Sequence, residues 1–68
     1  MKLYEVIKDD TIYELTKKEI KDRFGFDGSL KDVERIEIRN DGLFLIKPKK
    51  TIFYKKIHGS YGFPVAIY

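Results

Sequence analysis

The stretch LTKKEIKDRFGF, residues 15–26, decides the fold. Thr16 stands where an N-cap belongs, and Glu19 three residues later completes a capping box. Leu15 and Ile20 occupy the two positions of a hydrophobic staple around that cap. Ile20 and Phe24, four apart, form a single apolar stripe. Gly25 suits the left-handed conformation that ends a helix, with Phe26 folding back towards Ile20. The helix so defined is about two turns long, and an isolated helix of that length is unstable in water. It needs a sheet to lie on.

The flanking sequence offers one. LYEVIKDDTIYEL (3–15) carries two runs of β-branched and aromatic residues around Asp9-Asp10, the pattern of a tight hairpin. A two-residue loop there pairs Ile7 with Ile12, Val6 with Tyr13 and Tyr4 with Leu15, so that Tyr4, Val6, Tyr13 and Leu15 share the core side. It also sets Glu5 opposite Glu14, which is mildly unfavourable unless a Lys on a neighbouring strand lies between them. FDGSLKD (26–32) reads as a loop or a single helical turn. VERIEIRNDGLFLIKP (33–48) is a second hairpin, in which Asn40-Asp41-Gly42 suits a three-residue loop with Gly42 at a left-handed bulge position. That register turns Ile36, Ile38, Phe44 and Ile46 to the core and puts Leu43 and Leu45 on the opposite face. Pro48 ends the strand, KKTIFYKKI (49–57) supplies another, HGSYG (58–62) is a turn, and FPVAIY (63–68) closes the sheet as a short edge strand with Pro64 confined to its start. The expected fold is a single α+β domain over residues 1–68: ββα followed by three or four strands, one short helix packed on an antiparallel sheet.

Composition bounds what such a domain can do. A chain of 68 residues has room for one thin core. Without Cys, and with His58 alone, it lacks the ligands of a zinc site of nitrogen and sulfur donors, so no cofactor or metal is expected. MKLYEVIKDD (1–10) lacks the apolar run of a signal peptide, and no segment has the roughly 20 apolar residues of a membrane span, so an intracellular, cytoplasmic protein without a membrane partner is expected. Eleven Lys against three Arg, with abundant Ile, Tyr and Phe, suit an AT-rich genome, whether of a bacterium, an archaeon or one of their viruses. The net charge of +3 hides an asymmetry. Residues 1–41 hold nine basic and eleven acidic residues, whereas residues 42–68 hold five Lys, His58 and no acid, together with six of the ten Phe and Tyr.

Residues 15–36 resemble the opening of a helix-turn-helix repressor, through Leu15-Thr16, Glu19-Ile20, Arg23-Phe24-Gly25 and, more loosely, Val33 and Ile36. The resemblance implies that GSLKDVERI (28–36) is a recognition helix in the major groove. Three departures weigh against it. Lys21 stands where the family has a small buried residue, Lys31 where it has an apolar one, and Asp32, Glu34 and Glu37 would face the phosphates.

Catalytic patterns are weak. His58 and Ser60 have no acidic residue after Asp41 to orient them. Glu5 and Glu14 read as a solvated strand face, GSYG is too short to cradle a phosphate, and the Asp residues lack calcium-loop spacing. The expected function is therefore non-catalytic binding to an anionic partner, foremost a nucleic-acid backbone. Lys47, Lys49, Lys50, Lys55 and Lys56 would meet the phosphates, and Tyr54 or Tyr61 would stack or anchor. The same surface fits the acidic face of a protein, as in the small accessory inhibitors of viruses and mobile elements. An exposed Leu43–Leu45 patch would serve that reading, or a homodimer sharing a sheet edge or face.

Overall fold

The computed structural model describes residues 2–67. Among them the chain forms strands β1 (Tyr4–Lys8) and β2 (Thr11–Leu15), helix α1 (Lys17–Phe24), then strands β3 (Arg35–Arg39), β4 (Gly42–Ile46), β5 (Thr51–Ile57) and β6 (Ser60–Ile67). The strands join in one sheet of order β2-β1-β3-β4-β5-β6. β1 and β3 pair parallel, and every other neighbouring pair is antiparallel. The sheet is thus mixed, a correction to the antiparallel one expected. Hairpin turns announce antiparallel neighbours locally, but the β1–β3 seam joins two hairpins through α1 and its loop, and no short turn signals it. Its register sets Ile36 beside Val6 and Arg35 beside Glu5. Arg35 flanks Glu5 from the β3 side rather than lying between Glu5 and Glu14, and its ion pair is with Glu37 at 3.9 Å.

The first hairpin has the register that a two-residue Asp9-Asp10 turn dictates, with Tyr4 opposite Leu15 and Val6 opposite Tyr13. Both aspartates take positive φ, 50° and 62°, as a type I′ turn demands. The second hairpin differs from expectation by one residue. Its turn is Asn40-Asp41 alone, so Arg39 faces Gly42, Ile38 faces Leu43 and Ile36 faces Leu45. Because strand side chains alternate, that single step exchanges the faces of β4. Leu43 and Leu45 are fully buried, and Phe44 and Ile46 turn to the other side. Gly42 is not at a left-handed position. It is glycine because a Cβ there would collide with the Tyr54 carbonyl and the Phe53 ring.

β6 also departs from expectation. It begins at Ser60 after a two-residue His58-Gly59 turn and runs eight residues, with Pro64 in its middle rather than at its start. An edge strand tolerates this when the missing N–H falls on the free side. Tyr68, the last residue of the expected strand, lies outside the described residues.

The core lies on one side of the sheet. Val6, Leu15, Ile36, Leu43 and Leu45 are covered by Ile20 of α1 and by Phe26, Leu30 and Val33 of the following loop. In α1 the Glu19 N–H donates to Thr16 Oγ1 (3.2 Å) and the Thr16 N–H to Glu19 Oε1 (3.0 Å). Gly25 ends the helix at φ 74°, its N–H donating to the Lys21 carbonyl. These hydrogen bonds hold the Glu19 carboxyl below its ordinary pKa.

Three outcomes follow for stability. Gly42→Ala should lower the unfolding free energy by about 1–3 kcal/mol, the usual cost of overpacking, read from urea denaturation. Thr16→Ala should cost about 1 kcal/mol for the lost N-cap. Glu19→Gln should remove the cap's pH dependence, whereas Thr16→Ala keeps the backbone N–H that chiefly lowers the Glu19 pKa: because folding depresses that pKa, the cap's contribution is present above the unfolded carboxylate range and is lost as pH falls through the folded value.

Candidate anion-binding groove

The five lysines singled out from the sequence do not form one cluster. Lys47, Lys49 and Lys50 sit around the β4–β5 turn, while Lys55 and Lys56 stand about 17 Å further along β5 at the strand rise of ~3.4 Å per residue. Lys55 and Lys56 also point to opposite faces by strand alternation, Lys55 beside Gly42 and Lys56 beside Tyr61. Sequence proximity hid this, since side chains alternate between faces along a regular strand.

The turn group finds a partner that the sequence did not signal. Lys31, in the loop before β3, joins Lys47, Lys49 and Lys50 around an open groove of about 780 Å³, floored by Val33 and Pro48 and with Asp32 as the acid among its lining residues. Lys31 lies 16 residues from Lys47 in the chain. It arrives because the Glu34 N–H donates to the Ile46 carbonyl (2.8 Å), docking the loop onto the end of β4. On the facing wall the Lys47 N–H donates to the Lys50 carbonyl (2.9 Å) across the bend at Pro48-Lys49. Two backbone-pinned loops thus hold four ammonium groups at one rim, Lys47 half-buried and the other three exposed.

Tyr54 and Tyr61 are brought together, but not as free stacking platforms. Both meet Phe26 edge-on, with ring centroids at 4.8 and 5.8 Å, and both are half-buried on the helix side. A register shift between Tyr54 and Lys56 makes this possible by turning Tyr61 towards the helix side. Burial raises the Tyr61 phenol above its ordinary pKa.

The rest of the surface narrows the chemistry. Residues 25–34 contain no helix and Arg35–Arg39 is a strand, so nothing stands where a helix-turn-helix needs its recognition helix. No group of three or more His, Cys, Asp or Glu side chains among the described residues is placed to hold a metal ion. No helix among them is long and apolar enough to cross a membrane. The chain matches no protein-family model, curated protein or solved structure.

Tyr61 should ionise later than an exposed tyrosine in a spectrophotometric titration, and Tyr61→Phe should remove that late step. Since folding raises its pKa, the folded state keeps this proton longer than the unfolded chain. Stability should therefore fall as pH rises above about 10, and less steeply in the variant.

Proposed function

We propose that the chain is a small non-catalytic binding module whose lysine groove takes the phosphate backbone of a nucleic acid. The convergence of Lys31, Lys47, Lys49 and Lys50 on one groove carries the reading. Lysine ammonium groups are point charges that suit phosphate without reading bases, whereas bidentate base recognition favours arginine. The packing of Tyr54 and Tyr61 against Phe26 supports backbone contact over base stacking as the main source of affinity.

A protein partner, argued from an exposed Leu43 and Leu45, loses that footing because both residues are in the core. Lys55 and Lys56 belong to the opposite end of β5 and serve as a control for general positive charge.

Four phosphate contacts predict that affinity falls about 50- to 150-fold between 50 and 200 mM salt, from a log–log slope near −0.7 to −0.9 per contact. Fluorescence anisotropy with labelled single- and double-stranded oligonucleotides checks this. Lys49→Glu with Lys50→Glu should abolish the change while circular dichroism shows an intact fold, and Lys55→Glu with Lys56→Glu should leave most of it. Absence of binding at 50 mM salt, or equal loss in both double variants, overturns the assignment.

A further inference from the structure

Aspartate followed by glycine is the aspartyl pair whose backbone rearranges most readily, because glycine has no Cβ to hold its nitrogen away from the neighbouring carboxyl group. The chain holds two such pairs, Asp27-Gly28 and Asp41-Gly42. Residue type makes them equivalent. The fold does not.

Asp41-Gly42 is held from three directions. Gly42 closes the two-residue β3–β4 turn opposite Arg39, so its N–H is committed to the hairpin. The Asp41 carbonyl accepts from the Lys56 N–H at 2.9 Å. From β5, the Tyr54 carbonyl and the Phe53 ring crowd Gly42. The Gly42 nitrogen cannot swing onto the Asp41 carboxyl carbon without breaking these contacts.

Asp27-Gly28 has no such restraint. The pair lies between α1 and β3, with Gly28 at a bend. Among the described residues no hydrogen bond engages the backbone or side chain of either. The Asp27 carboxylate meets Lys21 at 3.7 Å, but the side chains are 66% and 59% exposed, and an exposed ion pair restrains little. Gly28 is not at a positive φ. It is glycine for room, since a Cβ there would stand 2.5 Å from the Phe26 ring. The packing that buries Phe26 thus keeps a glycine next to an exposed aspartate.

We propose that Asp27 isomerises spontaneously in the folded protein, through a succinimide, while Asp41 is protected, and that the change loosens Phe26. The Gly28 nitrogen attacks the side-chain carboxyl carbon of Asp27. The N–C bond forms, the carboxyl C–OH bond breaks, and the amide proton leaves with the hydroxyl as water. Water then opens the ring. Addition at the side-chain carbonyl restores aspartate, whereas addition at the main-chain carbonyl yields isoaspartate, with the chain running through the former side-chain carboxyl. Mass is unchanged, and no oxidant, metal or partner is needed. The product has one more main-chain carbon in the arc between Phe26 and Leu30, both of which are buried in the core. An arc anchored at both ends takes up that carbon by shifting an anchor. Phe26, next to the inserted atom, is the one whose edge-on contacts with Tyr54 and Tyr61 are lost.

The test is to incubate the full chain at neutral pH and physiological temperature, folded in buffer and unfolded in guanidinium chloride, until the unfolded sample has converted at both pairs. Chromatography of proteolytic peptides, with fragmentation that distinguishes the two isomers, gives the isoaspartate fraction at each site. The expected result is isoaspartate at Asp27 in both samples, and at Asp41 in the unfolded sample alone. The aged folded protein should unfold at lower urea than fresh protein. Asp27→Glu keeps the charge but lengthens the ring that must close, so it should neither convert at that position nor shift its midpoint on ageing. Equal conversion at both pairs in the folded protein, or none at Asp27 over that time, overturns the site. An unchanged midpoint in protein converted at Asp27 overturns the loosening of Phe26.

Discussion

Phe26 is the residue through which a short helical layer reaches the far half of a wide sheet. Six strands at about 4.8 Å spacing span well over 20 Å, and eight helical residues rise only about 12 Å. Helix α1 alone therefore covers little more than β2 and β1. The chain extends the cover by ending the helix at Gly25 and turning Phe26 inward at once, where it meets Tyr54 of β5 and Tyr61 of β6 edge-on. Leu30 and Val33 fill the space between, over Ile36, Leu43 and Leu45. The left-handed cap, the buried aromatic and the irregular loop are parts of one solution to a shortage of helix.

That solution has two consequences for the surface. The loop that carries Leu30 and Val33 into the core necessarily carries Lys31 and Asp32 outward beside the β4–β5 turn, and the lysine groove forms at that junction. All available cover is also spent on one side. On the opposite face Val65 and Ile67 are exposed, while Phe44 and Phe53 are half-buried against each other and Arg39 lies over the Phe44 ring at 4.8 Å. A thin core on one side and an apolar half-face on the other have the same origin in chain length.

Local chemistry was legible wherever a few adjacent residues contain the whole interaction. The capping box of Thr16 and Glu19, the Gly25 stop and the register of the Asp9-Asp10 hairpin all close within a few residues, so residue type and spacing suffice to determine them. The charge asymmetry between residues 1–41 and 42–68 was equally plain, and it located the β4–β5 turn lysines.

Tertiary structure alone decided the rest. The Asn40-Asp41 turn admits two loop lengths, and in the shorter one that forms, Gly42 packs without room for a Cβ against the Tyr54 carbonyl and Phe53 ring of β5. That register buries Leu43 and Leu45 and turns the half-buried Phe44 and Ile46 to the other face. The parallel seam of β1 with β3, the separation of Lys55 and Lys56 from the groove and the arrival of Lys31 likewise depend on pairings between distant segments. No local turn or spacing encodes such pairings, because their free energy exists only once both partners are packed on the same core.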